Sequence, residues 1–418
     1  MTKARHGVRV FWCISAAAWF ALFGYGFARP AINTQFNVFI GVENLPLAMT
    51  LMVTVVFLAV WIFGLLLTRY GPASTLIITS IGSAVCLAIP IALIELGFKA
   101  AVWPLYFIKE AYIVLLIEQL WSCIASSFSK ETAKKVGGPI LGISTLGSIL
   151  SGLMVMKFTK HLGTDHISWI AVGSCFFVAL FGYYAYRYAK IRKKSEDASN
   201  VDLEPKIKVK KPDSFGFSLF WGRRGLQYIL LIVLISQIYS AVINLFFQTM
   251  LNVDIPDADK QTAWAGGFFA GVNSCSLIFQ FIITPLLLKV LPVWIFFFIV
   301  PLLNLSVGVW AFIRGDILGA ASCYFVFKVL DYSLARITKE VCYIPYNFDV
   351  RYRAKQLIDV IAYRFGKSLT PTVIAGLSVM GVAITPYLYG VMTIGIALTW
   401  SVIGIPAGIT QSRVTEGD

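Results

Sequence analysis

Between Arg351 and Thr370 the chain reads RYRAKQLIDVIAYRFGKSLT, an apolar, helix-like run that nevertheless carries Arg351, Arg353, Lys355, Asp359, Arg364 and Lys367. At about 100° per residue, Gln356, Asp359, Tyr363, Lys367 and Thr370 share one narrow stripe, with Arg364 beside it. A polar stripe on such a segment needs a wet cavity or a partner. A guanidinium next to an ammonium suits a multiply charged anion, because Arg364 can chelate phosphate oxygens while Lys367 acts as a point charge. Gly366, Lys367 and Ser368 match the end of a phosphate loop, but Ile361 stands where the first Gly of GxxxxGK[ST] belongs and no strand precedes it. An ATPase is disfavoured on that ground.

Other charges also lie inside apolar runs, where each costs about 2.5–3.5 kcal/mol at mid-membrane on insertion scales. Lys109, Glu110 and Glu118 fall in one run, and Lys328 and Asp331 in another. Lys328 and Asp331 are three apart and can neutralise each other on a helix. Lys109 and Glu110 sit near the outer end of theirs, where long side chains snorkel. Glu118 is deeper and has no cation at helical spacing, which favours a functional or interhelical role. Arg29, followed by Pro30, reads as an interfacial anchor or as a gate cation.

These residues need a membrane to make sense. Of the 418 residues 58% are hydrophobic and 15% aromatic, with mean hydropathy +0.77, and apolar runs long enough to cross a bilayer recur throughout. The excess of 35 Lys and Arg over 21 Asp and Glu collects in short connections between those runs, so it reads as a positive-inside signal rather than a nucleic-acid surface. Seven scattered cysteines show no CxxC spacing and no alternation with His, which leaves them as small packing residues. No metal, cofactor or catalytic constellation is expected.

The pattern predicts an all-α polytopic protein with twelve transmembrane helices in two six-helix halves. Spans fall at about 9–29, 45–68, 73–95, 102–128, 137–158 and 166–187, and then at about 226–250, 262–288, 292–313, 318–338, 354–382 and 384–409. The halves are 1–187 and 226–418, and the charged, apolar-poor stretch 188–225 is the cytoplasmic linker between them. The distribution of cations puts both termini inside, in a bacterial inner membrane. The fifth span opens GGPILGISTLGSILSG, where Gly138, Gly142, Ser144, Ser148 and Gly152 form a small-residue face suited to close helix packing.

An internal repeat supports the two halves. LLLTRYGP at 65–72 corresponds to LLLKVLP at 286–292, YFIKE at 106–110 to YFVFK at 324–328, and SKE at 129–131 to TKE at 338–340. Two parallel repeats joined by a polar linker is the plan of major-facilitator-type transporters, with substrate bound midway between the halves.

The stretch KEVCYIPYNFDVRYRAKQLIDVIAYRFGKS resembles the signature region of the ATP:ADP antiporter family, the nucleotide transporters of plastids and obligate intracellular bacteria. The matching positions are Lys339, Glu340, Tyr343, Ile344, Pro345, Lys355, Asp359, Val360, Gly366, Lys367 and Ser368. IEQLWSCIASSFSKETAKKVGGPILGISTLGSILSG is similar to a second family segment, with Glu118 and Trp121 separated by one extra residue, Gln119. The resemblance implies a monomeric, twelve-span carrier that exchanges nucleotides or related phosphorylated anions by alternating access, with charged residues at Glu118 and Lys367 needed for transport. This chain departs from the family pattern in its first span, where ARPAINTQF keeps only Arg29, in its seventh, where Gln248 replaces an acid, and in GKSLT. The substrate-contacting set expected is Lys367, Arg364, Glu118, Asp359, Tyr363, Lys109 and Arg29. The alternatives are a proton- or cation-coupled symporter of another small anion, with Glu118, Asp331 or Asp359 as the carrier, and a receptor or scaffold without transport.

Overall fold

A computed structural model describes residues 2–197, 220, 222–346, 354–355, 357–358 and 362–416. Among them every regular element is helical. Lipid offers no hydrogen bonds, so an apolar run that spans it must satisfy its own backbone, and a helix does this within one segment. Ten helices are long and apolar enough to cross a bilayer, and the chain is an integral, multi-pass membrane protein.

The helices are α1 (Thr2–Phe39), α2 (Leu45–Glu95), α3 (Val102–Ser127), α4 (Lys130–Leu162), α5 (Trp169–Asp197), α6 (Arg224–Asp254), α7 (Ala258–Ile278), α8 (Phe296–Arg314), α9 (Ile317–Leu330), α10 (Tyr363–Val379) and α11 (Pro386–Glu416). The expected twelve spans and the ten observed differ for two reasons. The predicted second and third spans follow one another directly in α2, as two helical stretches that meet in a kink at the non-helical Gly71, φ 74 and ψ 169. That positive φ is open to glycine and strained for other residues, so the helical path breaks at Gly71 between the two predicted spans. The predicted eleventh span is described as a helix only over the 17 residues of α10.

Two spans contain a π-helical turn. Phe279–Ile283 joins α7 to the continuing helix Thr284–Val290, and Asp331–Ala335 joins α9 to Arg336–Cys342. These two turns touch one another.

The chain divides into two compact units. The first comprises residues 1–41, 54–208 and 257–273, and the second 42–53, 209–256 and 274–418. In the first unit α1 is central, packed on α5, α4 and α3. Small residues permit this. A Cβ on Gly24 would meet Ser174 of α5, and one on Gly26 would meet Ser151 of α4. Phe20 stacks on Phe177 at 4.6 Å, and Phe27, Ala31, Val155 and Ile167 close the core. The small-residue face of α4 packs on the first part of α7, where a Cβ on Gly152 would lie 2.7 Å from the Gly266 carbonyl oxygen and Asn273 Nδ2 donates to Ser148 Oγ at 2.8 Å.

In the second unit α6 packs on α10, α11 and α9. Gly366 sits where a side chain would run into Gln237 and Leu234 of α6, so α10 approaches α6 closely at the residue before Lys367.

Gly152 and Gly138 offer a test of the packing. A side chain at Gly152 meets backbone that cannot rotate away, so Gly152→Val is expected to cost about 1–3 kcal/mol. Gly138 has open space around the Cβ position, and Gly138→Ala should be neutral or slightly stabilising. Thermal midpoints of the two variants in detergent should therefore move in different directions, and equal midpoints would mean that α4 and α7 do not pack as described.

Candidate functional site

The deepest charge in the first unit is Lys109, whose side chain is 1% exposed. Its position on α3 follows from the helix that faces it. Tyr25, Arg29 and Asn33 of α1 are spaced by four, so they form one stripe with a drift of about 40° per step. That stripe meets Tyr106, Lys109 and Glu110 of α3.

The contacts form a single polar cluster. Lys109 Nζ donates to Asn33 Oδ1, lies 3.3 Å from Glu110 Oε1, and stands 3.8 Å over the Tyr106 ring. Tyr25 donates its hydroxyl to the same Glu110 oxygen at 3.3 Å. Arg29 lies 6.0 Å from the Tyr25 ring centroid and 3.9 Å over Phe269 of α7, within the same unit. Lys109 thus has a carboxylate, an amide oxygen and an aromatic face around it, which together offset the cost of removing an ammonium from water. Glu110 is 34% exposed and is the member through which the cluster reaches outward.

Chemically, this is two cations and one carboxylate gathered by two helices. Glu110 and an incoming anion are interchangeable partners for Lys109, because each presents an anionic oxygen to the same ammonium. Asn33 accepts from the ammonium whichever anion is present, whereas Tyr25 donates to the Glu110 carboxylate itself.

Glu118 lies apart from this cluster. Glu118 is nine residues beyond Lys109, about half a turn around the helix, and is exposed on the other side of α3. Its neighbour Gln119 is buried and donates to Thr79 Oγ1 at 2.5 Å. Lys367 is exposed on α10, and Thr370 one turn on is buried. Asp359 lies outside the described residues, and so do the side chains of Tyr363 and Arg364, whose backbone belongs to α10. The structure thus joins Arg29 and Lys109 of the expected set and adds Tyr25, Asn33 and Glu110. The missed signal was the four-residue spacing of Tyr25, Arg29 and Asn33.

The second unit has its own buried ammonium. Lys328 of α9 is 6% exposed, donates to Ser240 Oγ of α6 at 3.3 Å, and lies 5.3–5.5 Å from the rings of Tyr324, Phe327 and Tyr332. Asp331, three residues on, begins the π-helical turn.

Comparison with known proteins agrees with this architecture. The chain is 28% identical over 337 residues to ADP,ATP carrier protein 1 of Chlamydia muridarum, covering 71% of this chain and 62% of that protein. It is 31% identical over 93 residues to ADP,ATP carrier protein 3 of Rickettsia bellii, covering 22% and 18%. The chain thus matches about 62% of the length of its chlamydial relatives. Among solved structures, the nucleoside transporter NupG superposes with TM-score 0.62 over 98% of this chain and all of that one at 12% identity, and the peptide transporter PepTSo with TM-score 0.64 over 98% and 99% at 10% identity. At such identities the likeness speaks for the fold, which is that of major-facilitator-type transporters. Residues 270–405 match the family model described as TLC ATP/ADP transporter.

Proposed function

We propose that this protein is a membrane carrier that exchanges nucleotides, ATP and ADP or related phosphorylated anions, by alternating access. The observation that carries the reading is the buried Lys109, held by Glu110 and Asn33 and accompanied by Arg29. The names of the relatives, ADP,ATP carriers, support nucleotide as the substrate.

In the empty protein Glu110 occupies Lys109. A phosphate entering the cluster takes its place, adding charge-assisted hydrogen bonds while Asn33 keeps the ammonium in position. The cluster holds two cations and one carboxylate, so a bound anion offsets positive charge that the empty site would carry through a closed state. Burying such charge without compensation costs several kcal/mol. A carrier built this way returns faster loaded than empty, which is exchange. Lys367 and Arg364 on α10 supply further cations to the substrate, Tyr363 an aromatic face for its base, and Asp359 and Glu118 acidic partners for those cations when substrate leaves. The six-span halves are 1–187 and 226–418, joined by a cytoplasmic linker. Both termini face the cytoplasm of a bacterial cell whose inner membrane holds the protein as a monomer.

Labelled ADP uptake into proteoliposomes tests this directly. Uptake is expected only into vesicles preloaded with ADP or ATP, and Lys109→Ala or Lys367→Ala should lower it at least tenfold with insertion unchanged. Uptake that needs a pH gradient and no internal nucleotide would replace exchange by proton-coupled symport.

The ion pair has its own test in the unloaded protein. Glu110→Gln should lower stability by about 1–3 kcal/mol, less than a fully buried pair would lose because Glu110 is a third exposed. Lys109→Met together with Glu110→Gln should recover much of that loss. A double variant as unstable as the sum of the singles would show that the two side chains do not interact.

A further inference from the structure

The seam between α1 and α5 ends in a group of cations that the candidate site does not use. Along α5, Phe177, Phe181, Tyr184 and Tyr188 recur every three or four residues and form one face. Phe20 of α1 stacks on the first two, at 4.6 Å and 5.7 Å, and Tyr184 stacks on Tyr188 at 6.2 Å. Arg9 of α1 lies 5.6 Å from the Tyr188 ring centroid, where the aromatic face runs out. Beside that face a second stripe, Phe176, Leu180, Tyr183, Arg187 and Lys190, is exposed along its whole length. Arg9 is exposed too, as is Trp12 one turn along α1.

The exposed stripe has the profile of a membrane lipid. Phe176 and Arg187 are separated by about 16 Å of helix, and one leaflet of hydrocarbon is about 15 Å deep. With Arg187 and Lys190 among the headgroups, Tyr183 lies at the interface and Leu180 and Phe176 at acyl-chain depth. Among the described residues no carboxylate is within ion-pair distance of Arg9, Arg187 or Lys190. Snorkelling explains a single cation at a helix end, as at Arg69, whose guanidinium lies 5.4 Å from the ring of its neighbour Tyr70. It does not explain why two helices bring their cations to one place. The Tyr188 face holds the Arg9 guanidinium by cation–π attraction, which leaves the edge of the fork free to donate.

We infer that the α1–α5 seam binds an acidic phospholipid, whose phosphate is held by Arg9, Arg187 and Lys190 and whose acyl chain lies along Leu180 and Phe176. A guanidinium chelates two phosphate oxygens and an ammonium adds a point charge, so a headgroup without net charge is bound less tightly than an acidic one. Tyr188 is the positioning residue: it keeps Arg9 over the seam and does not itself touch the phosphate. The exposed apolar stripe commits the site to lipid, since a soluble phosphate makes no use of it. All these residues belong to the first compact unit, and the inference is independent of the transported substrate.

The experiment is a thermal-shift titration of purified full-length protein in neutral detergent with phosphatidylglycerol, phosphatidylcholine of the same acyl chains, and inorganic phosphate. Phosphatidylglycerol should raise the midpoint at a concentration roughly tenfold or more below phosphatidylcholine, and inorganic phosphate should not raise it there. One Arg or Lys near an acidic headgroup is worth roughly fivefold in binding, so Arg9→Gln with Arg187→Gln should abolish the preference. Arg69→Gln, at a cation outside the seam, should leave it intact. Tyr188→Leu should weaken phosphatidylglycerol about threefold, and Tyr188→Phe, which keeps the ring face, should restore wild-type binding. The same response to both lipids, an equal loss in Arg69→Gln, or a shift by inorganic phosphate equal to that by phosphatidylglycerol would each overturn the inference. Should the double variant fail to fold, Lys190→Gln decides: a loss of about fivefold is expected, and wild-type binding overturns the inference.

Discussion

An ammonium that is 1% exposed inside a membrane helix needs oxygen or π-electrons on every side from which water has been removed, and meeting that need at Lys109 sets much of the first unit. Asn33 and Tyr25 must stand eight residues apart on α1 so that one reaches the lysine and the other its carboxylate. α1 in turn must come close enough to α3 for those contacts while still packing on α4 and α5. Gly24 and Gly26 allow that approach, because at both positions a methyl group would collide with a serine of a neighbouring helix. The electrostatic requirement and the small-residue packing are thus two parts of one constraint. Moving α1 outward would relieve crowding at the glycines and leave a buried charge without its amide partner.

The second unit meets the same requirement with different residues. Ser240 takes the place of Asn33, and three aromatic rings do part of what Glu110 does for Lys109. The 34% exposed carboxylate of Glu110 neutralises the charge of Lys109, and the ring faces around Lys328 add a cation–π attraction to its ammonium. The two lysines are therefore alike in burial and in the tyrosine ring each one stands over.

Much of this was legible in the residues. The apolar runs located the spans because length and hydropathy alone decide whether a helix can cross lipid. The repeat was readable in YFIKE and YFVFK because the lysine and tyrosine that share a helix face are close in sequence. Hydropathy could not reveal that the two runs on either side of Gly71 meet in a kink with no loop between them, since a turn and a kink both ask for glycine followed by proline. Lys109 was read as a snorkelling side chain because position along a span says nothing about which face meets another helix. Asn33 and Tyr25 carried no charge to draw attention, and their role depends on an α3 residue more than seventy positions away. Glu118 drew attention as an isolated acid, yet the register that brings Lys109 and Glu110 onto α1 turns Glu118 away from it.

The pairing of Lys109 with Glu110 suits the proposed exchange because it is not strongly favourable. A buried ion pair gains about as much in attraction as it loses in desolvation, so its net contribution to the fold is small even though each partner is costly to orphan. In the proposed exchange a phosphate that displaces Glu110 gives up little stability, and it supplies more acceptor oxygens than the carboxylate it replaces. The carboxylate, already a third exposed, moves toward solvent and recovers hydration as it leaves. Asn33 and Tyr106 keep their contacts with the ammonium throughout, so the exchange of anions requires no rearrangement of α1 against α3. A tighter native pair would exclude the substrate, and a bare lysine would be driven to lose its proton. The observed combination of one displaceable carboxylate with two fixed neutral partners lies between those limits.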